Sequence, residues 1–385
     1  MENRYKKKKV FIAACIGMCF FGVSMIILGS ILPSLTHKLA LNPLQATSLV
    51  TFLPLGVLLG SFIFGPFVDH YGHKAIMLPS CIIVLLGLEG LTFFCNIHLL
   101  QFSIVAIGFG GGILNGETNA LVVDISKESE RGSLLSLLGV FYGVGALCVP
   151  VFLGSLLRYF SFEFILNGVG LLMLIAILYC FFVRFPAPKQ AQKFPIKDGL
   201  RILKGSFVLL CFILFFQSGI EGVCNNWTTS YFNRVTDISL EQSLFALTCM
   251  VASMSAARLF QVILFKKVNP QLVFPYSLMI CGLGFLLLTF SPGFLRAALG
   301  MILIGAGLSS TFPIILSIIG NRYPSFSGTA FSIALAIALI GQTTMNALMG
   351  MLSHSENGIR VYPYLMILSL ILMLLMYKRS LKYNI

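Results

Sequence analysis

The chain has 385 residues, of which 57% are hydrophobic and only 10% are charged, whereas a soluble domain carries about 25% charged residues. This composition excludes a soluble globular protein and predicts an all-α membrane protein. The formal net charge of +13 does not indicate a nucleic-acid partner, because the basic residues lie mainly between apolar segments, where Lys and Arg fix the orientation of a membrane protein.

Twelve apolar runs recur along the chain, each of roughly the 20 residues that a helix needs to cross a bilayer. We expect transmembrane helices near residues 10–35, 46–68, 75–95, 98–123, 133–157, 162–183, 206–232, 241–265, 272–290, 295–319, 328–352 and 361–377. Ten cysteines lie within or at the ends of these runs, and no two have CxxC spacing. The sequence therefore predicts neither a disulfide framework nor a metal site.

The longest connection follows the sixth run and contains three prolines and several lysines. It divides the chain into a predicted N-terminal six-helix bundle, a cytoplasmic linker and a C-terminal six-helix bundle, at residues 1–184, 185–204 and 205–385. The segments 112–154 and 307–350 have the same order of apolar run, Gly-containing loop and apolar run. Such weak internal repetition is typical of duplicated transporter bundles, with the substrate site between the halves near the middle of the membrane.

The loop charges predict the orientation. If the N-terminus lies inside, the inside loops and both termini hold 20 of the 26 basic residues, the outside loops hold five, and Arg258 lies within the eighth span. This bias predicts that both termini are cytoplasmic. It also makes the anionic lipids of the inner leaflet the expected counterpart of the positive charge.

A GxxxDxxGxK pattern stands at the predicted cytoplasmic end of the second helix, formed by Gly65, Asp69, Gly72 and Lys74. It resembles the signature loop of the major facilitator superfamily. The resemblance implies that Asp69 caps a neighbouring helix end, that Gly72 makes a tight turn and that Lys74 holds a cytoplasmic gate. His70 and His73 stand where members of that family often carry Arg or Lys, so this loop has fewer positive charges than is usual in the family.

The likeness to one branch of this superfamily lies in residues 110–122 of helix 4, 126–132 of the following loop, 143–150 of helix 5, 221–227 of helix 7 and 305–342 of helices 10 and 11. These stretches resemble the fucose–galactose–glucose:proton symporters. That branch carries a proton-linked carboxylate in helix 1, where this chain has Gly29. It also carries a Glu four residues before an Asn in helix 4, where this chain has Asn115 before Asn119. Glu117 is two residues away, on roughly the opposite side of the helix. Either the Asn115–Asn119 pair binds the sugar while Glu117 pairs elsewhere, or Glu117 carries the proton in a shifted helix.

Polar side chains in the seventh and eleventh spans predict a site for a hydroxyl-rich ligand. Gln217, Glu221 and Asn225 have i, i+4, i+8 spacing, and Gln342 and Asn346 have i, i+4 spacing, so each set shares a helix face. A carboxylate in a membrane span needs a partner, a proton or water. The alternative interpretation is a buried Glu tied to a neighbouring helix. The predicted substrate-binding residues are Asn115, Asn119, Gln217, Glu221, Asn225, Asn226, Trp227, Gln342, Asn346 and Tyr142.

Two of these residues are aromatic and would contact the apolar face of a sugar ring. Trp227 is the only tryptophan, and it is either a stacking surface or an anchor at the membrane interface. Tyr142 is a weaker candidate for stacking.

The predicted function is secondary active transport of a small polar solute by alternating access, and the predicted solute is a monosaccharide. The coupling ion is expected to be the proton, carried by Glu221 or Glu117, and no cofactor or metal is expected. Arg131 and Arg258 join Gly65, Asp69, Gly72 and Lys74 as predicted gate residues. Because Gly29 replaces the carboxylate of helix 1, sugar uniport without a coupling ion is an alternative function.

An exporter of drugs or amphiphiles with the same fold is the alternative function, although such a cavity would be more apolar than these amide-rich helices indicate. No sequence pattern of an enzyme is present, and an enzymatic function is not expected. The expected partners are a sugar and the lipid bilayer, without nucleic acid, and the protein is expected to be a monomer in a bacterial inner membrane.

Overall fold

A computed structural model describes residues 5–156, 159–189, 205–236, 238–290, 293–353 and 358–382. In these ranges, twelve helices are long and apolar enough to cross a membrane, which confirms the predicted all-α fold. The helices are α1 (Lys7–Leu39), α2 (Pro43–Tyr71), α3 (His73–Phe93), α4 (Ile97–Ile125), α5 (Glu128–Leu156), α6 (Phe162–Phe182), α7 (Gly205–Val235), α8 (Leu240–Leu264), α9 (Pro270–Thr289), α10 (Phe294–Arg322), α11 (Ser327–Leu352) and α12 (Tyr362–Lys382). Short 3₁₀ turns at Pro324–Phe326 and Gly358–Val361 precede α11 and α12.

Local signals in the sequence set several helix boundaries. The Asn42 side chain accepts a hydrogen bond from the Gln45 backbone N–H, and the Gln45 side chain returns one to Asn42, so that a capping box starts α2. Ser239 and Gln242 form the same box at α8. Each box satisfies backbone donors that have no partner within the helix. α1 ends at Leu39, because the next residue, Ala40, has a φ of 47° and leaves the helical conformation.

The chain forms two compact units. Unit 1 comprises Met1–Lys127, Leu138–Gly199 and Tyr323–Ile333. Its central helix is α4, which packs against α1, α2 and α3. A Cβ at Gly108 or Gly112 would collide with the α2 backbone, and a Cβ at Gly110 would lie 2.6 Å from the Val84 side chain of α3. Small residues allow this close packing where lipid offers no hydrophobic drive for helix association.

Unit 2 comprises Glu128–Leu137, Leu200–Arg322 and Ala334–Ile385. Its central helix is α10, which packs against α8 and α9, while α12 packs against α7 and α9. A Cβ at Gly307 would lie 2.6 Å from the backbone of Cys281 in α9, and one at Gly284 would lie 2.6 Å from the Gly300 carbonyl. Glycines of α10 thus set the helix spacing in unit 2, as those of α4 do in unit 1.

Candidate functional site

Asp69, near the end of α2, caps the start of α11 within unit 1. Its Oδ1 accepts from the Gly328 backbone N–H (3.1 Å), and its Oδ2 accepts from the Thr329 N–H (2.8 Å) and the Thr329 hydroxyl (2.6 Å). The first N–H groups of a helix have no partner within it and carry partial positive charge, so a carboxylate is a favourable acceptor there. We call these three hydrogen bonds the Asp69 cap; they have the geometry that the motif implied.

Glycines bring the two helices of the Asp69 cap together and turn the chain after it. A Cβ on Gly328 would lie 2.8 Å from the Gly65 carbonyl and 2.9 Å from Asp69 Oδ1, so both helices approach at positions without side chains. Gly72 separates α2 from α3 with a φ of 86°, a conformation that L-residues with side chains rarely adopt. Gly65 and Gly72 thus have structural reasons for their place in the motif.

The two basic residues after Gly72 have separate partners. Lys74 donates to the Phe181 carbonyl at the end of α6 (2.5 Å), and its ammonium lies 5.2 Å from the centre of the Phe181 ring. His73 turns inward and is 4% exposed. Its Nδ1 lies 3.1 Å from Glu117 Oε1, and its Nε2 lies 3.0 Å from Asp124 Oδ2. The gate role predicted for Lys74 stays a prediction.

We call His73, Glu117 and Asp124 the histidine cluster; sequence reasoning did not foresee it. Glu117 and Asp124 are seven residues apart on α4, which places them two turns apart on one face. Asp124 also accepts from Lys189 Nζ (2.6 Å) and from the Ser327 hydroxyl (2.8 Å). Lys189 donates in addition to the Pro324 carbonyl and to Ser327 Oγ. The signal available in the sequence was the i, i+7 pair of acids on an otherwise apolar helix.

The amides of α4 lie on a different face from Glu117. Asn119 is buried, and its Nδ2 donates to the Asn115 backbone carbonyl (2.7 Å) and approaches Asn115 Oδ1 (3.3 Å). Asn115 is half-buried. Glu117 is fully buried against His73, which is the arrangement expected if the Asn pair is the ligand-binding face and Glu117 pairs elsewhere. Sugar binding by the pair stays a prediction.

The polar stripe of α7 runs from the interior of unit 2 to its surface. Gln217 is 1% exposed; it accepts from the Thr311 hydroxyl and donates to the Leu308 carbonyl (3.3 Å), so that its amide is bonded to α10. Glu221 is half-buried and Asn225 is exposed. Among the residues that the structure describes, the Glu221 carboxylate has no hydrogen-bond partner.

Three amides join α7 to α11 within unit 2, and we call Asn226, Gln342 and Asn346 the amide cluster. Asn226 Nδ2 donates to Asn346 Oδ1 (2.9 Å), and Asn346 Nδ2 donates to the Gln342 backbone carbonyl (2.8 Å). A Cβ on Gly222 would lie 2.6 Å from Gln342 and 2.7 Å from Asn346, so this glycine admits both side chains. Within the described ranges, the side-chain amide of Gln342 is half-buried and unbonded.

The aromatic candidates lie in different units. Trp227 is half-buried on α7, next to Asn226 in sequence, and its ring lies close to Gly350 of α11. Tyr142 is half-buried on α5 in unit 1, where its ring centre lies 5.3 Å from that of Phe21 on α1. Trp227 therefore neighbours the amide cluster, whereas Tyr142 belongs to the contact between α1 and α5.

Two arginines predicted to act in gating lie in unit 2. Arg131, in the first turn of α5, donates to the Asn321 side chain, and Asn321 Nδ2 donates to Glu128 Oε1 (2.8 Å). Arg258 is half-buried on α8. Among the described residues, no group of three or more His, Cys, Asp or Glu side chains has the geometry to hold a metal ion.

The site residues thus fall into three groups with distinct chemistry. The Asp69 cap binds a helix terminus, and the histidine cluster places an imidazole between two buried carboxylates. The amide cluster and Glu221 present donors and acceptors on α7 and α11, and such groups bind hydroxyls with direction and selectivity.

Comparison with proteins of known sequence gives distant relatives. The bicyclomycin resistance protein homolog of Haemophilus influenzae is 26% identical over 196 residues, which are 49% of this chain and 47% of that protein. A TsgA homolog of Buchnera aphidicola is 22% identical over 230 residues, 58% of each chain. The chain therefore spans about half the length of the first curated relatives that it matches.

Comparison with solved structures gives the fold. The E. coli fucose:proton symporter FucP aligns with a TM-score of 0.82 at 18% identity, over 96% of this chain and 98% of that one. The proton:xylose symporter XylE aligns with a TM-score of 0.73 at 15% identity, over 96% of this chain and 95% of that one. A family model described as Major Facilitator Superfamily matches residues 14–342. The twelve-helix chain with its Asp69 cap therefore belongs to the Major Facilitator Superfamily.

Proposed function

We propose that the protein is a secondary transporter that moves a small polar solute, in the first instance a monosaccharide, by alternating access and with proton coupling. The observation that carries the proposal is a set of polar groups on α7 and α11, half-buried at Glu221, Gln342 and Asn346 and exposed at Asn226. Glu221 and the Gln342 amide have no hydrogen-bond partner among the described residues, and they accompany the bonded pair of Asn226 and Asn346.

Unpaired polar groups in a membrane span are costly unless a ligand or water satisfies them. A sugar hydroxyl both donates and accepts, so it suits a mixture of amides and one carboxylate. Trp227 beside this group offers a flat surface for the C–H face of a sugar ring. The likeness in fold to the fucose and xylose symporters supports the same substrate class.

The test is uptake by purified protein in proteoliposomes. A panel of radiolabelled hexoses and pentoses is measured with and without an inward proton gradient. We expect one or a few sugars to accumulate only with the gradient, and unlabelled sugar of the same kind to compete. Absence of both accumulation and counterflow for every sugar of the panel would contradict the proposal.

A second candidate function is export of a drug or amphiphile, and one specific observation favours it: the similarity to the bicyclomycin resistance protein homolog. Efflux of a cationic dye from the same proteoliposomes separates the two functions. Dye efflux that Asn346→Ala leaves unchanged, together with no sugar transport, would favour the exporter.

A further inference from the structure

His73 occupies a position in which protons must be shared. Each of its ring nitrogens lies within hydrogen-bond distance of a carboxylate oxygen, and a neutral imidazole has only one N–H to donate. Either the ring is an imidazolium that donates to both Glu117 and Asp124, or one of the two carboxyl groups carries a proton. The exposed fractions of the three side chains are 5%, 0% and 7%, so water does not replace a missing bond.

The two carboxylates of the histidine cluster are not equally satisfied. Asp124 has further hydrogen bonds from Lys189 and Ser327. Glu117 has its contact with His73, whereas its second oxygen, Oε2, is buried with no hydrogen-bond partner. A proton on Oε2 would leave the bond from His73 to Oε1 in place, so the cluster has room for one more proton without loss of its contacts.

Other groups define the electrostatic surroundings of the histidine cluster. Lys189 bonds directly to Asp124, and a narrow crevice lined by His73, Asp124, Asp69 and the linker residues 187–189 reaches the cluster. α1 presents Gly17 against Met77 and Thr118 at this level. The remaining titratable neighbours are Asp69 on α2, Lys74 and Cys81 on α3, and Cys180 on α6.

The histidine cluster is bonded to the first turn of α11. Asp124 accepts from the hydroxyl of Ser327, the first residue of α11, and Asp69 accepts from the next two backbone N–H groups. Two carboxylates therefore hold this turn, and one of them is a direct partner of His73. A neutral ring that turns a lone pair toward Asp124 would repel its carboxylate and weaken the hold.

We propose that the histidine cluster binds the coupling proton and that the protonation of His73 sets how firmly Asp124 holds the first turn of α11. The proton comes from the aqueous phase, is shared among His73, Glu117 and Asp124, and returns to water when the turn is released. This inference rests on the proposed proton-coupled transport. It assigns the proton to a cluster of unit 1 and not to Glu221 of unit 2.

Hydrogen–deuterium exchange of residues 327–333 in the purified protein tests the coupling without any substrate. Two flanking carboxylates favour the charged ring, so its loss is expected on the alkaline side. After correction for the intrinsic rate, we expect wild-type protection of this segment to fall about tenfold between about pH 7 and pH 10, the size expected for loss of one charge-assisted hydrogen bond. His73→Arg should stay protected over this range, and His73→Gln should be unprotected throughout. His70→Gln, a histidine outside the cluster, is the matched control, and the first turn of α5 is the internal reference.

Transport supplies the second measurement. In both His73 variants, we expect accumulation driven by a proton gradient to fall at least about tenfold, because neither side chain exchanges a proton in this range. Counterflow, which needs no net proton movement, should stay within about twofold of wild type. Glu221→Gln should weaken sugar binding, but the ratio of its accumulation with and without the proton gradient should stay as in wild type if the cluster is the proton site.

The two measurements separate the hypotheses. The inference would be overturned if both His73 variants accumulated sugar like wild type and also showed the wild-type pH dependence of hydrogen exchange. If the wild-type protein moves no sugar, the proposed function fails and the exchange profile alone decides the inference. If one His73 variant does not fold, the other decides it, because each has its own expected profile.

Discussion

Asp69 makes three hydrogen bonds to the start of α11 while only 2% exposed, which makes its charge the central feature at the residue scale. Hydrogen bonds to a charged group contribute about 1.5–3 kcal/mol each, and the positive end of the helix dipole adds to them. Asp69→Asn keeps the shape but replaces one acceptor oxygen with a donor that faces other donors.

For Asp69→Asn we expect a loss of about 2–3 kcal/mol in stability and a clearly lower midpoint in thermal unfolding of the detergent-purified protein. Glu241→Gln, an exposed acid in the first turn of α8, is the control and should unfold like wild type. Equal midpoints for Asp69→Asn and wild type would show that the Asp69 cap contributes no stability.

Asn346 is the residue of the amide cluster with the most contacts, since it accepts from Asn226 and donates to the Gln342 carbonyl. Asn346→Ala removes two polar groups that would bind sugar hydroxyls and leaves the Asn226 amide unpaired. We expect the Kd of the transported sugar to rise about 10- to 100-fold, measured by equilibrium binding. Thr343→Ala, at an exposed position one turn earlier on α11, should bind normally, and an unchanged Kd in Asn346→Ala would remove this residue from the site.

At the scale of helices, glycines decide how closely α2 and α11 approach. A Cβ on Gly328 would press on the Gly65 carbonyl and on Asp69, whereas one on Gly168 of α6 meets nothing within 4 Å. Gly328→Ala should therefore destabilise the protein by about 1–3 kcal/mol through overpacking. Gly168→Ala should leave it unchanged or stabilise it by up to about 1 kcal/mol, since alanine favours the helix.

Thermal unfolding of the two alanine variants side by side measures this difference. Because both variants make the same chemical change within a membrane helix, their difference reports the environment of each glycine. A Gly328→Ala protein as stable as Gly168→Ala would mean that α2 and α11 separate without cost.

Helix positions were predictable from the sequence, whereas the partners of several side chains were not. The apolar runs determine the spans, and the predicted ends near 98–123 and 206–232 lie within a few residues of α4 and α7. The Asp69 cap followed from a recognisable motif. The partners of Gln217 and Glu117 could not be predicted from the sequence. A period of 3.6 residues shows which residues share a helix face, but not which neighbouring helix that face contacts. His73 was missed for the same reason: its two partners lie 44 and 51 residues away on α4.

At the scale of the whole molecule, one thiol can report the orientation in the membrane. The loop charges predict that the connection between α3 and α4 lies outside. Cys95 lies in that connection and is exposed, whereas the other nine cysteines are buried or partly buried.

We therefore expect a membrane-impermeant maleimide to label Cys95 in intact cells, and Cys95→Ser to remove most of the labelling. Permeabilised cells that carry the same variant control for thiols that face the interior. Labelling of Cys95 only after permeabilisation would reverse the predicted orientation and place both termini outside.

Lys189, a residue that follows the sixth helix, bonds to Asp124, to the Pro324 carbonyl and to Ser327. The order of the chain therefore matters if the transporter is produced as two co-expressed polypeptides. A break on the carboxyl side of Lys189 leaves the ammonium on the fragment that also carries Asp124, and the second fragment then supplies the Pro324 carbonyl and Ser327 Oγ as acceptors for it. A break before Ala187 places Lys189 on the second fragment instead. The two kinds of split gene would therefore reassemble differently, because they differ in which fragment carries this lysine.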